Sequence, residues 1–379
     1  MFIRICNLVF LKKLINYAFA TLKPFLHILF VTICLNGYAQ GNDPSFALTK
    51  GDQIEDLMIR YNELGEFNGS ILIVKEGVPI YENTLGFADF ETREPLDGEM
   101  PFYLASLAKQ FTAMGIMMLV EEKKISYEDK LTRFFPIIPV VYKDITVHQL
   151  LTHTSGIKDY FKLGVMKPGL KNMDVYKALF EVNKLDFEPG LKYKYSNSGY
   201  VLLAMIIQIA SGQLYENYMS ERIFGPLNMN HSFVLTERTR QKILVRGYTA
   251  KLKPNDYNLF TYGDGGVFST AADLLLWHNA LENNELVSAQ SLLEAYTPVE
   301  LANGQKRRYG YGWEIGNNLY GKLVFHTGGL AGYRTYIERQ LDASNVIILL
   351  TNTSNEHILE IRNKLVKILD DRPYVLPED

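Results

Sequence analysis

Cysteine is almost missing from this chain: there are two in 379 residues, Cys6 and Cys34, and both fall within the first 39. A chain starting at Gln40 would have none, so no disulfide would staple it and no thiol would do its chemistry. An exported protein of roughly 340 residues is large enough to bury a core without such staples. His-Glu-x-x-His is absent, and the seven histidines form no dense cluster with aspartate. That argues against a metallohydrolase, and no metal or cofactor is expected. Gly-x-Ser-x-Gly is absent too, which removes the nucleophile elbow of an α/β-hydrolase. Basic charge is not in excess, with a formal net of −3, so no nucleic-acid surface is expected. Repeats and low-complexity tracts are lacking.

What is present is a chain that is 47% hydrophobic and 12% aromatic, ample for a sizeable core. Residues 1 to 39 carry Arg4, Lys12, Lys13 and Lys23, no acid, an apolar run from Phe25 to Leu35, and the small residues Gly37 and Ala39. This pattern predicts a secretory signal cleaved after Ala39. The run is short for a membrane span, so the expectation is a secreted or periplasmic protein with no stable span once the signal is removed; the alternative is an uncleaved signal that anchors the chain to a membrane, since Phe2 to Phe19 also contains apolar stretches. Ile33 stands where a lipid-attachment signal at Cys34 would have a small residue. Losing the four positive charges takes the formal net from −3 to −7.

The chain is organised around residues 104 to 124, LASLAKQFTAMGIMMLVEEKK. Met114, Ile116, Met117, Met118, Leu119 and Val120 crowd the stretch on nearly all sides, which predicts a buried helix. At its start stand Ser106 and Lys109. Residues at i and i+3 share a helix face, so the amine can reach the hydroxyl. A buried lysine tends to lose its proton, and a neutral amine can take one from an attacking serine. Ser-x-x-Lys alone is equally the pattern of an ordinary helix start.

Around this core, Ile71 to Lys75 and Val78 to Gly86 read as two strands joined through Glu76-Gly77. Helices are predicted near Ile145 to Leu151 and Gly199 to Ala210, then after the Ser269-Thr270 cap with Asp273 in the first turn. Strand-like runs follow at Leu319 to His326, Tyr333 to Gln340 and Val346 to Thr351, and a helix from Glu356 to Leu369 closes the chain. The predicted fold is therefore α/β, of α+β type: an antiparallel sheet built from both chain ends and flanked by helices. The expected division is a discontinuous α/β domain, 45–128 with 255–379, and a mostly helical insertion domain, 129–254, with the site between them.

Three further stretches stand beside Ser106 and Lys109: Tyr195-Ser196-Asn197 on a loop, Gly265-Gly266 at the mouth of a helix, and His326-Thr327-Gly328-Gly329 at the end of a predicted strand. Ser106-x-x-Lys109, Tyr195-x-Asn197 and His326-Thr327-Gly328, in this order, resemble the three motifs of the serine β-lactamase and penicillin-binding-protein superfamily. Tyrosine at the head of the second motif resembles the branch of class C β-lactamases, D-alanyl-D-alanine carboxypeptidases, D-aminopeptidases and β-lactamase-like esterases. Leu150 to Ile157, Gly265 to Trp277 and Tyr309 to Trp313 are similar to that branch as well, so the likeness spans the chain beyond the signal.

The resemblance implies that Ser106 attacks a carbonyl, that Lys109 and Tyr195 handle its proton, and that Asn197 holds Lys109 and a substrate amide. It also implies an oxyanion held by the backbone N–H groups of Ser106 and Gly329, and an acyl-enzyme released by water. Whether Lys109 or Tyr195 is the principal base stays open. Expected substrates are small molecules or peptides: a D-amino-acid peptide, an ester or a β-lactam. The preferred reading is a peptidase, carboxypeptidase or esterase. The alternatives are a class C-like β-lactamase and, in another class, a non-catalytic penicillin-binding sensor. His326 replaces the lysine commoner in the third motif, so the charge there is expected to be conditional on pH. Arg334 is read first as a solvent-facing strand residue and second as a fixed replacement charge. His148, His153, Trp277 and His278 are read as structural.

Overall fold

The hydrophobic runs from the two ends of the chain meet in one sheet. The computed structural model describes residues 48 to 378, and the expected signal, with Cys6 and Cys34, lies outside the described residues. Helix α1 (Lys50–Glu63) starts at Thr49, whose side chain accepts from the Asp52 N–H while Asp52 reaches back to Thr49, a reciprocal cap. Strands β1 (Gly69–Lys75) and β2 (Val78–Leu85) follow. Their connection, Glu76-Gly77, has positive φ at both residues, 52° and 78°, as a two-residue type I′ hairpin requires.

Near the C-terminus come β3 (Glu314–Asn318), β4 (Gly321–Leu330), β5 (Tyr333–Gln340), β6 (Asn345–Thr351) and a final helix (Ile358–Leu369). The sheet order is β3-β4-β5-β6-β1-β2, antiparallel throughout. Strand β1 pairs with β6 in the register Gly69↔Thr351, which joins the two ends. Ile71, Ile73, Ile347 and Leu349 pack with α1 and the final helix, while Leu72, Val74, Val346, Ile348 and Leu350 belong to a second cluster on the opposite face. Both faces are covered, so these strands read as continuous apolar runs although successive side chains alternate.

The second cluster continues into the middle of the chain. Helix α2 (Ala108–Glu121) packs against α3 (Asn197–Ser211), whose Leu202, Leu203 and Ile206 share the cluster with Phe111 and Leu119. Gly115 lets α3 come close, because a Cβ there would lie 2.9 Å from Ile207 Cδ1. From Thr49 onward the chain forms one compact unit. Among the described residues no single helix is long and apolar enough to cross a membrane.

Two local expectations gain detail. Ser106, expected at the start of the helix, lies in a 3₁₀ turn, Ala105–Leu107, that leads into α2. Ala105 has φ +49°, a left-handed conformation costly for a residue with a Cβ. His326-Thr327-Gly328-Gly329 lies in the C-terminal half of β4, which runs on to Leu330, past the predicted end at His326. Glycine at 328 reflects a close approach: a Cβ there would fall 2.1 Å from Thr335 Oγ1 and 2.4 Å from Leu104 O. Strand β3 was not expected, and it pairs with β4 only as far as Phe325. From His326 to Leu330, β4 keeps β5 on one side and, among the described residues, has no strand on the other.

Candidate active site

The turn that carries Ser106 is held against β4 by Thr335, whose hydroxyl donates to Leu104 O at 2.8 Å. Lys109, one turn further on, is fully buried. Its Nζ lies 3.1 Å from Ser106 Oγ, 2.9 Å from Asn197 Oδ1 and 2.7 Å from the main-chain oxygen of Asp264. The last two can only accept, whereas a hydroxyl can accept or donate. A neutral amine has two hydrogens and one lone pair. The two obligate acceptors use the hydrogens, which leaves the lone pair for the Ser106 proton.

Burial pushes Lys109 down to about 8 from its ordinary 10.5, with Asp264 and Asp159 holding it up in part. A sizeable neutral fraction at slightly alkaline pH follows. Tyr195 presents its ring to the same ammonium, 4.9 Å from centroid to Nζ. Burial raises its phenol well above 10, with proximity to Ser106 acting the other way. The hydroxyl is buried without a hydrogen-bond partner of good geometry, so it remains protonated and free to donate.

Several residues that sequence reasoning passed over complete the site. Asp159 Oδ2 accepts from both the main-chain N and the side-chain Nδ2 of Asn197. Asp264 Oδ2 accepts from Tyr160 at 2.9 Å, and burial raises the Asp264 carboxyl above its usual range. Neither aspartate belongs to a periodic run. The available signal was a buried lysine, which calls for a nearby counter-charge. His153, read as structural, packs its ring 4.2 Å from that of Tyr195 at a tilt of 35° and accepts from the Ser196 N–H through Nδ1. His148 meets Tyr311 at 3.1 Å, away from this group.

His326 departs from the conditional charge expected of it. Nδ1–H donates to Thr327 O at 2.7 Å, and Nε2 is free to accept from Tyr309 at 3.1 Å. Burial, with Lys109 and against the Thr327 contact, pushes it down to about 3. The ring is neutral across physiological pH. Arg334 is half-buried and lines the cleft, and its Nη1 donates to the main-chain oxygens of Tyr333 and Ala331.

Two cavities open at Ser106. One, of about 550 Å³, is lined by Ser106 and Tyr195 with His326 to Gly329, Arg334 and Glu314 among others. The other, about 240 Å³, adds Tyr103, Phe161, Asn197, Asp264 and Leu330 and shares Ser106, Tyr195 and Gly329. A third cavity, around Lys171, Glu237 and Tyr262, contains none of these residues. The three motifs therefore converge on one cleft, with Thr327, Gly328 and Gly329 along its strand wall.

Comparison with known proteins agrees with this geometry. The family model described as beta-lactamase matches residues 54–369. The chain belongs to the beta-lactamase family. It is 34% identical over 361 residues to penicillin-binding protein 4* of Bacillus subtilis (strain 168), covering 87% of this chain and 78% of that one. The octameric penicillin-binding protein homologue from Pyrococcus abyssi superposes with a TM-score of 0.74 at 29% identity, over 84% of this chain and 77% of that one. The D-amino acid amidase from Ochrobactrum anthropi SV3 shares the fold, with a TM-score of 0.72 at 23% identity over 85% and 99% of the two chains. As a family member the protein is a serine hydrolase acting on amides or esters.

Proposed function

We propose that this protein is an exported D-amino-acid peptidase or carboxypeptidase, also able to cleave esters of the same acyl group, and that Lys109 is its principal base. The observation that carries the reading is the arrangement around Lys109 Nζ, where two obligate acceptors leave only Ser106 Oγ to share the lone pair. Ser106 Oγ attacks the carbonyl carbon as its proton passes to Lys109. Backbone N–H groups of Ser106 and Gly329 hold the oxyanion. Tyr195, still protonated, gives a proton to the leaving nitrogen or oxygen as the acyl–leaving-group bond breaks. Water then attacks the ester of Ser106 and releases the acid.

The acyl donor is read from the charges along the cleft. With His326 neutral, the cation available for a substrate carboxylate is Arg334, which lines the cleft and makes no ion pair among the described residues. That favours a peptide with a free terminal carboxylate. Export rests on the basic front and apolar run of residues 1 to 39.

The test is covalent labelling of the chain from Gln40 onward with a fluorophosphonate and with fluorescent penicillin, followed by adduct mapping. Modification at Ser106, lost in Ser106→Ala, is expected, together with turnover of a D-amino-acid peptide. Labelling that survives the substitution would remove the nucleophile. Labelling without hydrolysis of any peptide or ester would make the protein a sensor.

A further inference from the structure

The cleft carries a charge that neither the proton transfers nor the oxyanion requires. Glu314 opens β3, lines the same cavity as Ser106 and Tyr195, and is half-buried. Its carboxylate has no hydrogen bond and no ion pair among the described residues. Burial raises its carboxyl above the usual range, the signature of an acid withdrawn from water with no compensating cation. Elsewhere in the protein the buried acid Glu338 is paired, with Arg362, and Glu282 meets Arg339. Glu356, exposed at the rim of the same cavity, adds a second negative charge without an ion pair.

The position of Glu314 gives it a register. It sits opposite Phe325, where pairing on that side of β4 stops. Arg334 sits opposite Gly329, further along the same strand. The Ser106 turn abuts β4 at Gly328. An extended substrate lying along the open stretch from His326 to Leu330 would therefore meet Glu314 about three residues, or roughly 10 Å, from the Ser106 turn.

We propose that Glu314 is a specificity-determining residue that receives an ammonium group, so that the preferred substrates are short peptides carrying a positive charge roughly 10 Å from the scissile carbonyl. This deepens the peptidase reading and rests on it. A substrate ammonium supplies the missing counter-charge, and a neutral substrate leaves the carboxylate withdrawn from water and unpaired.

The test compares two phosphonate probes that label serine and differ only in a free or an acetylated amine at that distance. In the wild-type protein the amine probe is expected to label Ser106 about tenfold faster or more, the scale of one charge-assisted contact. In Glu314→Gln the ratio should collapse to about one, and in Glu314→Lys it should invert. Equal labelling rates in the wild type would overturn the inference, as would a ratio unchanged in both variants. Equilibrium binding of a short D-amino-acid peptide and its N-acetyl form to Ser106→Ala separates the two readings. An amine preference with no labelling of the wild type would retain Glu314 and remove the nucleophile. Labelling without an amine preference would do the reverse.

Discussion

Asp159 determines which way round the Asn197 amide sits. Its Oδ2 accepts from Asn197 N and Nδ2, each at 2.9 Å, and because a carboxylate only accepts, Asn197 must turn its oxygen toward Lys109. The asparagine of the second motif thus arrives at Lys109 already oriented, by a residue that itself lines neither cavity at Ser106. Asp159 is a positioning residue on this account.

Replacing Asp159 by asparagine is expected to lower kcat by about tenfold or more, because the Asn197 amide can then turn its NH₂ toward Lys109 and displace the amine from Ser106. The substitution also removes a carboxylate that holds the Lys109 pKa up. Activity of the wild type is expected to rise with pH through about 8 as Lys109 loses its proton, and in the variant that limb should move to lower pH. A pH profile of kcat/KM checks this. A fall in activity with the limb unmoved would mean that Asp159 acts through folding alone.

Selectivity for anionic substrates should be flat with pH. His326 is neutral above about 3, so the ratio of kcat/KM for a carboxylate substrate to that of its neutral ester is expected to stay constant between pH 6 and 8. Arg334→Ala should reduce that ratio by about tenfold. A ratio that falls through the ordinary histidine range would return the charge to His326.

Buried histidines should make the protein acid-sensitive. His278 is held down to about 3 by burial and by Arg339, whose Nε donates to its Nδ1 at 2.9 Å. Its folded pKa lies below the unfolded value of 6.5, so below pH 6.5 the unfolded chain binds more protons and stability falls as pH falls. The loss from this group is about 1.4 kcal/mol per pH unit between 6.5 and 3. His278→Gln should flatten the dependence of unfolding free energy on pH by up to that amount. Denaturant titrations at pH 4, 5 and 6 would show it, and an unchanged slope would contradict it.

The two glycines of the third motif should behave differently. A Cβ at Gly328 would meet Thr335 Oγ1 and Leu104 O at 2.1 and 2.4 Å, so Gly328→Ala must push β4 off the Ser106 turn, at a cost of about 1–3 kcal/mol. At Gly329 the nearest atom is Arg334 Cδ at 3.3 Å, the far part of a flexible side chain. Gly329→Ala is therefore expected to retain the wild-type melting temperature while crowding the cleft. Thermal melts and Ser106 labelling rates of the two variants measure the difference.

Much of this was legible in the sequence. The β1–β2 hairpin, α3 and the strands that became β5 and β6 carry apolar runs bounded by turn residues, and the three motifs occur in order. Strand β3 escaped notice because Glu314-Ile315-Gly316-Asn317-Asn318 contains glycine and asparagine, which strands disfavour. Its pairing with β4 forms it, and no local preference announces it. The Ser106 turn was read as helix because an apolar stretch has the same composition whether or not its first residues are wound more tightly. Asp159, Asp264 and Glu314 have no periodicity at all. Their roles come from contacts between distant parts of the chain, as does the loss of charge at His326, which depends on how completely the ring is buried.

The late start of β3 at Glu314 has a further consequence. A strand rim with unpaired amides invites a neighbouring molecule to dock along it and is a common route to aggregation. Here the unpaired stretch, His326 to Leu330, lines the cavities that open at Ser106 and Tyr195, one of which Ile358 and Leu359 also line. A slim, extended guest can pair with it there. A rim that would otherwise be a liability is placed where an extended substrate can use it.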